Sequence, residues 1–110
     1  MKSFSMLSWF LAGLLFVVLA LPLIFGKVPP NRLYGFRVEK TMRDPEIWYA
    51  ANRYSGWGMF WIGVAVTITS VVLAFIPGLN ELLYALICLG VLHIVGITTL
   101  ILCFKYLETL

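Results

Sequence analysis

Between Lys2 and Lys27, between Arg53 and Glu81, and between Glu81 and Lys105, the chain carries no Asp, Glu, Lys or Arg. Each run is near the length of about 20 residues that a helix needs to cross about 30 Å of hydrocarbon. In water a helix hides one apolar stripe and wets the rest, so uniformly apolar runs of this length have no place in a soluble domain. The balance of 62% hydrophobic and 12% charged residues in 110 agrees. Backbone in hydrocarbon must satisfy its own polar groups, which leaves helices as the way for such runs to span. The sequence therefore predicts an all-α integral membrane protein: one membrane domain over 1–110, with spans at about 4–25, 45–76 and 80–106.

The first run resembles a secretory leader because it follows Lys2 at the start of the chain. It is longer than a leader core, lacks a clean small-x-small cleavage site and is followed by two further runs, so it reads as the first span, with Pro22 near its exit. Residues 26–44 form the one long polar connection. Gly26 and the Pro29-Pro30 pair stop the helix and favour extended backbone, while Leu33, Tyr34 and Phe36 make the segment too bulky for a flexible spacer.

Asp44-Pro45-Glu46 carries the marks of a helix start: a capping carboxylate, proline in the first turn and an acid facing the positive end of the helix dipole. One helix is expected to run from Pro45 to about Ile76, its first turns lying at the interface as an amphipathic extension. Trp48, Tyr49, Tyr54, Trp57 and Trp61 supply rings that favour the headgroup level. Pro77-Gly78 closes this span, and Asn80 is placed to cap the last.

Lys27, Arg32, Arg37, Lys40, Arg43, Arg53 and Lys105 all fall on one side of the predicted spans, against Lys2 alone on the other. Basic residues stay cytoplasmic, which predicts an outside N-terminus with the loop and C-terminus in the cytoplasm. The net charge of +3 is matched to lipid headgroups rather than to nucleic acid, because it lies beside the spans. Cys88 and Cys103 sit about 22 Å apart along a helix, too far to pair, and are expected as buried thiols.

Most of the polar chemistry lies in Asn31-Arg32, in Tyr34-Gly35-Phe36-Arg37, at Thr41, and in the helix entrance with Trp48, Asn52, Arg53 and Gly56. Guanidinium forks suit carboxylates, phosphates and aromatic faces, and Gly35 between two aromatics suggests a tight turn. The same arginines and rings also serve as plain anchors to anionic lipid, and the residues alone leave both roles open. Trp48, Asn52 and Gly56 share one helical face, and Glu46, Tyr49 and Arg53 a neighbouring one. That spacing would let Arg53 pair with Glu46 or with loop groups and fold the loop onto the helix.

His93 is the one ionisable side chain deep in a span, either a functional group or a neutral imidazole bonded to a neighbouring helix. Thr67, Thr69, Ser70, Thr98 and Thr99 read as helix-packing groups, with Gly63 and Thr67 forming a small-xxx-small contact. No nucleophile elbow, zinc motif, phosphate loop or placed carboxylate pair is present. The expectation is a protein without catalysis, cofactor or metal.

Over residues 31–56, the Asn-Arg, Tyr-Gly-Phe-Arg, Thr41, Trp48 and Asn-Arg elements resemble the SdpI family of bacterial membrane immunity proteins. The three-span layout is similar to the C-terminal half of a protein with two such halves. This resemblance implies a protein of the bacterial cytoplasmic membrane, related to one that protects its producer from a secreted toxic peptide and signals by holding a repressor at the membrane. It implies binding residues at Asn31, Arg32, Gly35, Arg37, Thr41, Trp48, Asn52, Arg53 and Gly56, to which the loop reading adds Tyr34. A three-span unit of this kind is expected to form a homo-oligomer. The alternative is a small oligomeric transporter using His93 and the threonines, although no broken helix or buried carboxylate marks a midplane substrate site.

Overall fold

The computed structural model describes residues 2–110, which fold into four helices and no strand among the described residues. Helix α1 spans Lys2–Ile24, α2 Glu39–Arg43, α3 Pro45–Ala74 and α4 Glu81–Glu108. Three of them, α1, α3 and α4, are long and apolar enough to cross a membrane. With 30 residues, α3 is about 45 Å long and exceeds the hydrocarbon thickness by about 15 Å.

Local chemistry sets each end. Gly26 adopts φ +67°, and the amides of Gly26 and Lys27 return to the carbonyls of Leu23 and Pro22 at 3.3 and 2.9 Å, a Schellman closure that satisfies the last turn of α1. Asp44 caps α3 by accepting the Glu46 amide at 2.9 Å, with Pro45 in the first turn. Asn80 caps α4 through the Leu83 amide at 2.8 Å. Residues 26–44, expected as a loop, contain α2. This helix has five residues, too few for a periodic pattern.

Helix α3 is the hub, in contact with α1 along its length and with α4, while α1 and α4 barely meet. Between lipid-exposed helices the hydrophobic effect is absent, so close backbone approach and interhelical hydrogen bonds hold them together. The closest approach is at Gly13 and Gly63. A Cβ on Gly63 would lie 2.5 Å from the Gly13 carbonyl, and one on Gly13 would collide with the Thr67 hydroxyl. The expected Gly63-Thr67 contact is therefore formed, against a glycine on α1.

At the end away from the loop, Leu73, Tyr84 and Cys88 form a buried cluster with Met6 and Trp9 of α1 against it. There the Tyr84 hydroxyl donates to the Ser70 carbonyl at 2.5 Å, and Ser5 donates to Glu81 at 3.2 Å. These contacts draw α1 and α4 together at that end only. Both cysteines are free and buried.

Candidate functional site

The loop is seated on the first turns of α3. Trp48, Asn52 and Gly56 follow at helical spacing and all are buried, because the loop and the end of α1 cover that face. Trp48 was expected to join the outward aromatic rings, but it is fully buried. Its indole N–H instead donates to the Val28 carbonyl at 2.8 Å. Tyr54, Trp57 and Trp61 remain exposed.

Asn52 works in both directions. Its Oδ1 accepts the Phe36 amide at 2.6 Å and its Nδ2 donates to the Trp48 carbonyl at 2.9 Å. Gly35 lies directly above, with φ +116°, and a Cβ there would come within 2.7 Å of Asn52 Oδ1 and 2.9 Å of the Trp48 ring. Both the backbone conformation and the space admit only glycine. Gly56 lets the end of α1 settle on α3, its absent Cβ being 3.0 Å from Leu23 and Ile24 side-chain atoms.

Other loop residues are spent on the loop's own backbone. Asn31 accepts the Leu33 and Tyr34 amides at 2.9 and 2.7 Å and donates to the Pro29 carbonyl at 2.8 Å, a turn built on an Asn side chain. Arg37 Nε donates to the Asn31 carbonyl at 2.8 Å. The buried Thr41 hydroxyl accepts the Val38 amide at 3.0 Å and donates to the Phe36 carbonyl at 2.8 Å. Tyr34 is half-buried, its hydroxyl buried without a partner. Burial pushes this phenol above its ordinary pKa.

Arg53 does not reach Glu46. Its Nε donates to the Ile24 carbonyl at 3.3 Å, one of the carbonyls that a helix end leaves open. The loop is thus tied down by Asn52 and Trp48, and Arg53 ties α1 to α3. Arg32 and Arg37 are exposed.

Two anchors escape the sequence reading. Phe36 meets Phe104 of α4 edge to face, with centroids 5.3 Å apart, and Lys40 donates to the Leu107 carbonyl at 2.8 Å. Phe36 lies within the Tyr-Gly-Phe-Arg element and could have been singled out there; nothing local marks Lys40. Between α1 and α4, above α3, Phe36 borders an apolar groove of about 340 Å³. Leu23, Met59, Ile62 and Leu100 line it, and Phe36 and Arg37 stand at its loop end.

His93 is not part of this assembly. It lies on an exposed part of α4, with Nδ1 2.8 Å from the Leu89 carbonyl of its own helix, not on a neighbouring helix. Thr69 and Thr98 likewise bond within their helices, and Thr99 abuts Gly58. Among the described residues no group of three His, Cys, Asp or Glu is placed to hold a metal ion.

Three membrane-length helices, with the polar side chains of the loop gathered over the entrance of the second, define a small multi-pass helical membrane protein. Within that class the chain belongs to the SdpI/YfhL protein family, whose sequence profile matches residues 27–104. The match takes in the loop, α3 and most of α4, and starts after α1. No curated protein and no solved structure gives a significant match.

Proposed function

We propose that the chain is an SdpI-like immunity or signalling protein of the bacterial cytoplasmic membrane, which binds a secreted toxic peptide or a partner repressor without catalysis. Family membership supports this reading. The observation that carries it is the division of labour in the loop: Asn31, Gly35, Thr41, Trp48 and Asn52 hold its shape, while Arg32 is exposed and Arg37, tied to the Asn31 carbonyl through Nε, is exposed as well. Guanidinium groups on a rigid loop suit carboxylates or a peptide backbone.

Producing the chain in a bacterium sensitive to a secreted membrane-active peptide should raise survival. Replacing Arg32 and Arg37 together by alanine should remove most of that protection while the chain stays at wild-type abundance in the membrane. Survival unchanged by the chain, or protection untouched by the double replacement, would reject this function.

The same proposal sets the N-terminus outside and the loop and C-terminus in the cytoplasm, with the first turns of α3 at the interface. The basic side chains clustered around residues 27–53 support it. A reporter fused after Leu110 should be active only in the cytoplasm; an extracytoplasmic signal reverses the orientation. Self-association completes the proposal, supported by the many exposed apolar side chains of α4. Sizing in nanodiscs should give more than one chain per particle, and a strict monomer excludes it.

A further inference from the structure

We propose that the groove between α1 and α4 is a lipid site, taking one acyl chain of an anionic phospholipid whose phosphate is held by Arg37. The two helices are drawn together at one end by Ser5, Glu81 and the Tyr84 cluster. At the other they part, exposing α3 as a floor, with Ile62 and Cys103 buried at depth. The groove opens sideways into the surrounding lipid, because Leu100 on its rim is 54% exposed and a Cβ on Gly96 would meet nothing within 4 Å. An unfilled apolar space forfeits dispersion contacts on every side, and in a bilayer the nearest filler is a hydrocarbon chain.

Charge then selects the headgroup. Arg37 lines the groove, is exposed and spends one of its five donors on the Asn31 carbonyl; a guanidinium offers a planar fork that fits a phosphate. Lys27, Arg32 and Arg43 share the loop, so the field at that level favours net negative lipid over zwitterionic lipid. Arg37 serves both this site and the proposed recognition surface, but lipid retention is read without survival, so the two readings can fail separately.

The full-length chain in detergent micelles, titrated with dioleoyl phosphatidylglycerol or dioleoyl phosphatidylcholine, can be followed by native mass spectrometry. One phosphatidylglycerol per chain should outlast the rest during delipidation. Its retention should exceed that of phosphatidylcholine about fivefold, the worth of one basic group at a membrane surface. Arg37→Gln should lower retention of both lipids severalfold and narrow the difference between them, since Lys27, Arg32 and Arg43 remain, and inorganic phosphate alone should not compete. Gly96→Leu should plug the groove and lose the retained lipid, whereas Gly90→Leu should keep it, since that position is equally open but outside the groove. Equal retention of both lipids by the wild type overturns the site. So does full retention by Gly96→Leu, or a lipid-free dimer in which a second copy fills the groove. Should Gly96→Leu fail to fold, the Arg37→Gln comparison decides.

Discussion

Asn52 is where burial and polarity are most closely balanced. It is 2% exposed, and both ends of its amide are committed, one to a loop amide sixteen residues earlier in the chain and one to its own helix. Replacing it by leucine strands the Phe36 N–H, at a cost of about 1–3 kcal/mol. That corresponds to a roughly five- to 150-fold larger open population of the loop. Trypsin should then cut at Arg32 and Arg37 faster by about that factor, with the helices intact. Gly35→Ala should act in the same direction through its positive φ, and Leu33→Ala, at a side chain 95% exposed, should leave cleavage unchanged. The sequence made the shared face of Trp48, Asn52 and Gly56 legible by spacing alone. Which member of the Asn52-Arg53 pair is buried was not legible, since that depends on how far the loop folds back. The partner of Asn52 was hidden for the same reason: a contact between a loop amide and a helix has no period.

Among the elements, the spans were the easiest to read, because absence of charge over a helix length is a one-dimensional signal. Helix α2 was the hardest. It is held by the Thr41 hydroxyl and its place in the loop rather than by an amphipathic stripe. The pairing of spans lies in between. Gly63 and Thr67 pointed to a contact, but Gly13 had no companion at small-xxx-small spacing in α1 to single it out. Gly63→Leu should drive side-chain atoms into the Gly13 carbonyl and the Val17 backbone, costing about 1–3 kcal/mol of overpacking. It should lower the temperature at which the detergent-solubilised protein aggregates, and Gly90→Leu should not. Equal behaviour of the two would mean that α1 and α3 do not depend on this crossing.

At the scale of the whole molecule, the chain is a slender bundle measuring 52 × 23 × 18 Å, with its middle span as the common partner. Beyond its junction with α1, the loop is anchored on α3 and on the last turns of α4, so it reports on how those two stand relative to each other. The order in which the spans leave the ribosome gives that arrangement a further meaning. Gly13 of α1 is made before the partner that fits against it. The second span brings both the matching Gly63 and the seat for the loop, so two spans and the loop can assemble before the third is made. The third span then fastens what is already in place, through Phe104 and the Leu107 carbonyl. Phe104 and Leu107, made after the loop and α3, are thus the latch on a seat that α3 already supplies.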